Sequence, residues 1–262
     1  IAQSKSIGPM YLFLYRRGER SGEEVARSEI VAARALGVDG FQFFYPCSGD
    51  ALMASYNKTI VSFFRVAEQE FPDFKLTLCL CNPQVGTEAE KIARWAKHIN
   101  ALLAETRESP AWLKSPDGRT VMYQWVGDPL ADAVGKNLGK VLSGADAIRA
   151  IATAYEKLAQ AVELPIAYVY HLRYPENEQH VNQVFDYFPA VWTWTDGDRM
   201  ASFRRIDEIA KSRERTYSVT IYPEFYGHDY IKGMPKGKAG LPIRGAHTPV
   251  AQLHRSYQPC RL

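Results

Sequence analysis

The sequence predicts an α/β protein of the (β/α)8 or TIM-barrel type whose eighth strand is unclear or missing. Three observations carry that prediction. Short β-branched or aromatic runs alternate with segments of helical period, the pattern of parallel strands joined by crossover helices. Most of those runs are apolar throughout, as strands covered on both faces are. The turn after the first run, Arg16-Arg17-Gly18-Glu19, is not the G-x-G-x-x-G phosphate cradle that a doubly wound open sheet would carry there.

The first strand is expected over residues 10–15. A helix follows: Ser21 with Glu24 makes a capping-box pattern, Ala26, Ile30, Ala33 and Leu36 form one apolar stripe, and Gly37 ends it. The second strand, residues 39–45, leads to a helix carrying Tyr56, Ile60, Phe63, Phe64 and Ala67. The third, residues 75–81, precedes a helix capped by Thr87 and Glu90, with Ile92, Trp95, Ala96, Ile99, Leu102 and Leu103 on its apolar stripe. After the fourth strand, residues 119–125, the glycine-containing stretch 127–144 has no strong period and reads as a long loop on the side where barrel loops carry function. A helix through Ile148, Ile151, Ala152, Tyr155, Leu158 and Ala159 leads to the fifth strand, 165–170. Shorter helices near 181–187 and 200–209 flank the sixth strand, 190–195, and residues 216–222 make the seventh.

Forty residues follow Tyr222, including the Pro-, Gly- and Lys-rich stretch 231–244, and they contain no clear eighth strand. An open barrel would expose rows of backbone donors and acceptors on its first and seventh strands. A non-consecutive segment, a partner chain or further residues are therefore expected to cover the gap. No linker or low-complexity tract interrupts the chain, so residues 1–262 are expected to form a single domain with a large core, 46% of the residues being apolar.

The 32 basic and 29 acidic residues leave a net charge of +3, and no basic block is interleaved with aromatics, so no nucleic-acid partner is expected. Apolar runs such as residues 76–80 fall far short of the ~20 residues of a bilayer span, so membrane insertion is not expected either. Cys79 and Cys81 lie two apart in a strand, share a face and cannot readily bridge each other, while Cys47 and Cys260 stand alone. All four read as small core residues. The six histidines show no ligand spacing, so no metal site is expected.

In barrels the working residues sit at the C-terminal ends of the strands. Those ends read Tyr15 and Arg16; Tyr45 and Ser48; Asn82; Trp125 and Asp128; His171 and Arg173; Trp194, Asp196 and Asp198; then Glu224, Tyr226, His228 and Asp229. Tyr and Trp rings beside carboxylates suit a sugar, whose apolar faces stack on aromatics while its hydroxyls bind charged groups. Cleaving a glycosidic bond takes two flanking carboxylates, one to protonate the leaving oxygen and one to act as nucleophile or activate water. Glu224 is the expected general acid, because its place between Tyr222 and Phe225-Tyr226 would bury it partly and raise its pKa; Asp196 is the expected partner. Tyr15, Arg16, Tyr45, Asn82, Trp125, Asp128, His171, Arg173, Trp194, Asp198, Tyr226 and His228 are the expected substrate-binding residues, though Asp198 and Asp229 also fit solvated loop acids. A sugar-phosphate isomerase or aldolase barrel would want an active-site Lys or a phosphate cradle at the later strands, and neither is evident.

Several short stretches resemble a family. Leu36-Gly37-Val38-Asp39-Gly40-Phe41 at the second strand, Phe74-Lys75-Leu76-Thr77-Leu78 at the third, Asp117-Gly118-Arg119-Thr120-Val121 at the fourth and Val191-Trp192-Thr193-Trp194 at the sixth are similar to the α-1,3-glucanase (mutanase, family 71) glycoside hydrolases and their endo-α-mannosidase (family 99) relatives. Tyr222-Pro223-Glu224-Phe225-Tyr226 is similar to the seventh-strand segment of the former group. The resemblance covers roughly residues 10–230. It implies a (β/α)8 barrel acting without cofactor on an α-linked oligosaccharide or polysaccharide, often outside the cell or in the periplasm. Two departures bear on catalysis: Asn82 stands where those families commonly end the third strand with an acid, and their tryptophan- and acid-rich eighth-strand segment is not found. The alternative is a barrel that has lost its catalytic acids and only holds glycan.

Overall fold

A computed structural model describes residues 7–10, 22–81, 83, 85–134, 144–173, 175–193 and 200–219, with the backbone alone for 7–10, 200 and 219. Seven strands, β1 (Ile7–Met10), β2 (Gly40–Pro46), β3 (Lys75–Cys81), β4 (Thr120–Trp125), β5 (Ile166–His171), β6 (Ala190–Thr193) and β7 (Thr216–Val219), form one sheet in the order of the sequence. Every neighbouring pair is parallel. A doubly wound sheet reverses its strand order at a switch point. This sheet never does, which is the winding of a barrel. The connecting helices are α1 (Gly22–Ala35), α2 (Asp50–Glu70), α3 (Glu88–Thr106), α4 (Gly144–Ala161), α5 (Glu178–Tyr187) and α6 (Met200–Ser212).

Alternation along the strands splits the buried residues into two cores. Phe43, Tyr45, Leu78, Leu80, Met122, Tyr168, Tyr170 and Val191 pack outward with the apolar stripes of the helices. Phe44, Cys79, Cys81, Val121, Tyr123, Ala167, Val169, Ala190 and Trp192 form a separate inner cluster, with Trp125 against it. A sheet with one apolar cluster on each face explains why its strands read as unbroken apolar runs. Cys79 and Cys81 share the inner face as their spacing predicts, and Cys47, Cys79 and Cys81 are all free thiols.

The expected third strand matches residue for residue, the fourth begins one position later, and the second and fifth are shifted by one position at both ends. The Thr87–Glu90 capping box is formed: the Thr87 hydroxyl accepts from the Glu90 amide while the Glu90 carboxylate accepts from the Thr87 amide. Gly37, at φ +77°, ends α1 in the left-handed conformation that glycine adopts without steric cost. Among the described residues the first strand runs over Ile7–Met10 and pairs in register with Gly40–Phe43, so it holds three residues before the expected start, while residues 11–15 of the expected strand lie outside the described residues. It includes Pro9, whose missing N–H a strand with a single neighbour tolerates; among the described residues β1 pairs with β2 alone. Ser21, the later parts of the expected sixth and seventh strands and everything after residue 219 lie outside the described residues.

No helix among the described residues is long and apolar enough to cross a membrane.

Candidate functional site

At the C-terminal end of β4 the chain makes a sharp turn that assembles most of the describable site. Val126, immediately after the strand, has φ +48°. A β-branched residue in that region is strained, at a cost of about 1–3 kcal/mol that its surroundings must offset. Its amide N–H points inward and donates to Nδ1 of His171 at 3.3 Å. His171, at the end of β5, stacks on Trp192 with ring centres 5.0 Å apart. Trp192 is 1% exposed, meets Tyr123 edge-on at 5.8 Å, and donates its indole N–H to the Gln124 carbonyl at 2.7 Å. Trp125, half-buried, sets its ring edge-on against Phe44 at 5.7 Å. The inner wall near the strand ends is thus aromatic: Phe44 with Trp125, then Tyr123, Trp192 and His171.

Burial, with the Arg173 charge nearby, pushes the His171 imidazole down to about 4, so it is neutral at pH 7. Because Nδ1 accepts the Val126 proton, the neutral ring carries its own proton on Nε2.

Past Val126 the chain turns outward. Gly127 is required by close approach, since a Cβ there would overlap the Tyr155 hydroxyl and the Gln124 amide oxygen. Asp128 follows in the first of two 3-10 turns, Asp128–Leu130 and Asp132–Val134. Its carboxylate accepts from the Tyr170 hydroxyl at 2.8 Å and lies 4.0 Å from the Arg173 guanidinium. Burial pushes the Asp128 carboxyl above the ordinary carboxylate range, although Tyr170, Arg173 and His180 all favour the anion. Tyr170 belongs to the helix-facing side of β5, so Asp128 is drawn to the outer side of the strand, while His171 is on the inner.

The loop holding Asp128 is clamped to α3. The Asp132 carboxylate accepts from the Glu88 amide at 2.7 Å, the Glu88 carboxylate accepts from the Asp132 amide at 3.2 Å, and Lys157 pairs with Glu88 at 2.6 Å. The buried ammonium of Lys91 donates to the Pro129 carbonyl and sits 3.5 Å from Asp132. Lys91→Met should therefore lower stability by about 1–3 kcal/mol through the groups left unpaired. A urea midpoint equal to that of the unaltered protein would show that water replaces the ammonium at no cost.

Of the residues expected to bind substrate, Trp125 and His171 take the inner side at the ends of β4 and β5, while Asp128, drawn to the outer side, lies 4.0 Å from Arg173. Tyr45 is not among them. It is fully buried on the helix-facing side, where its hydroxyl donates to Asn57 at 2.8 Å, and Asn57 in turn donates to the His98 carbonyl. Its neighbour Phe44 takes the inner face, and alternation sends Tyr45 the other way. Tyr15, Arg16, Asn82, Trp194, Asp196, Asp198, Glu224, Tyr226 and His228 lie outside the described residues. Trp192 and Val126 were not expected at the site. The Trp192 signal is its spacing from Trp194, since residues i and i+2 of a strand share a face; a strained backbone at a valine leaves no sequence signal. Among the described residues no group of three or more His, Cys, Asp or Glu could hold a metal ion.

No family model matches the sequence, and no curated protein does. Among solved structures the chain is similar to the GH99 endo-α-mannosidase of Bacteroides thetaiotaomicron, with a TM-score of 0.55, 10% identity, and 86% of this chain and 71% of that one covered. It also aligns with the β-glucuronidase of Parabacteroides merdae (TM-score 0.47, 9% identity, 82% and 24% covered) and a 2,3-dimethylmalate lyase of the PEP mutase/isocitrate lyase superfamily (TM-score 0.42, 11% identity, 84% and 68% covered). The first likeness is one of fold.

Proposed function

We propose that the chain is a carbohydrate-active barrel that takes an α-linked glycan at the C-terminal mouth and hydrolyses it by carboxylate acid/base chemistry, as the glucanases and mannosidases it resembles do. The observation that carries this reading is the half-buried Trp125 beside the stacked, neutral His171 at adjacent strand ends. A flat apolar ring next to an uncharged polar edge matches a pyranose, which offers an apolar face and hydroxyls together. The likeness of fold to an endo-α-mannosidase supports the choice of substrate class. In this reading Glu224 donates a proton to the leaving oxygen and Asp196 is its partner. Trp194, Asn82, Arg173 and Tyr226 add contacts, and Asp128, with its raised proton affinity, orients Arg173.

A non-catalytic glycan-binding barrel is the second reading, favoured by one fact: the seven described strands contain no acidic residue. The two readings differ in the separation of the cleft carboxylates, about 5–10 Å for a hydrolase. Incubation with α- and β-linked oligosaccharides and chromatography of the products tests the first directly. Cleavage of an α-linked member is the expected result. Binding without cleavage supports the second reading, and neither binding nor cleavage contradicts both. Trp125→Ala should weaken glycan binding by about 1–3 kcal/mol, the loss of one buried aromatic contact, as measured by calorimetry. Unaltered affinity would remove Trp125 from the cleft.

A further inference from the structure

The two nitrogens of His171 are not equivalent, and the fold decides between them. Nδ1 faces the Val126 amide, a donor that cannot be switched off by pH because it is backbone. The ring has little freedom to turn away: it is stacked on Trp192, 8% exposed, and Trp192 is itself tied to the Gln124 carbonyl. Val126 also has little freedom. Its φ of +48° turns the chain outward at once, and Asp128, two residues on, is held by Tyr170. A β-branched residue keeps such a conformation only where both sides of the turn are anchored. The hydrogen bond that the ring makes among the described residues is the one at Nδ1.

We infer that Val126 is a positioning residue that locks His171 in the Nε2-protonated form, so that the mouth of the barrel presents one fixed, uncharged N–H donor whose ligand is an oxygen acceptor. Such a donor prefers a hydroxyl or acetal oxygen to an ammonium group, which would leave two donors facing each other. Identifying the acceptor as a sugar oxygen rests on the glycan reading above; the tautomer does not. An imidazole free to flip could serve either as donor or as acceptor and would select neither. The locked ring adds specificity that the aromatic wall alone lacks, because a flat ring stacks on any apolar face.

The tautomer is read by long-range 1H–15N correlation spectra of the 15N-labelled protein at pH 7, with the His171 signals assigned by their loss in His171→Gln. A pyrrole-type Nε2 with a pyridine-type Nδ1 is the expected pattern. A proton on Nδ1, an even mixture of the two forms or an imidazolium overturns the inference. The second arm compares His171→Gln, whose amide N–H can reach the place of Nε2, with His171→Asn, which reaches only that of Nδ1. Titrated with an α-linked oligosaccharide, the Gln variant should stay within about threefold of the native affinity, and the Asn variant should lose about tenfold or more, one hydrogen bond. Equal affinity in His171→Asn and the native protein overturns the donor role. If no oligosaccharide binds the native protein while the spectra show protonated Nε2, the glycan reading fails and the lock stands. The spectra of the native protein decide the tautomer even if His171→Asn does not fold.

Discussion

Replacing Trp192 by alanine is expected to lower the unfolding free energy by about 3–5 kcal/mol, the range for removing a large aromatic from a packed core. The indole is 1% exposed and joins three strands: it sits on β6, touches Tyr123 of β4 and His171 of β5, and donates to the Gln124 carbonyl. The loss therefore includes a cavity in the inner cluster and a buried carbonyl without its donor. Trp192→Phe weighs the hydrogen bond more heavily, since it removes the N–H with only part of the ring; about 1–3 kcal/mol is expected. Urea denaturation followed by circular dichroism measures both. A Trp192→Ala loss below about 1 kcal/mol would mean that the inner wall is loosely packed and that His171 is not held by it.

The largest functional effect is expected at Glu224. Glu224→Gln should cut turnover of an α-linked substrate by at least about 10², the lower range for losing a general acid, while leaving substrate affinity and the circular dichroism spectrum close to native. Asp196→Asn should act in the same direction. Both residues lie outside the described residues. Full turnover by Glu224→Gln would move the proton donor elsewhere.

The helix and strand pattern was legible because it is written in local chemistry. Lys75–Cys81 is an apolar run bounded by polar segments, and the Thr87–Glu90 cap needs only two side chains three positions apart. Facing was not legible at Tyr45. In a strand buried on both sides, Phe44 and Tyr45 are both apolar enough for either core, and only the assembled sheet shows that Phe44 turns inward. The strand at residues 7–9 was not legible for a related reason: Ile7-Gly8-Pro9-Met10 has poor strand propensity, and its pairing with β2 is a tertiary effect. At the site, Trp125, His171, Asp128 and Arg173 were visible as polar or aromatic residues following strands. The turn at Val126, which sends His171 and Asp128 to opposite sides of the wall, has no sequence signature.

The five tryptophans make the central claim directly measurable, since Trp95 and Trp112 are buried in the outer core while Trp125 and Trp192 belong to the inner wall. Indole N–H signals in 1H–15N spectra should be followed as an α-linked oligosaccharide is added. A glycan seated at the mouth predicts saturable shifts of the Trp125 and Trp192 signals while those of Trp95 and Trp112 stay in place. Shifts confined to Trp95 and Trp112, or an unchanged spectrum with every α-linked oligosaccharide tried, would contradict it.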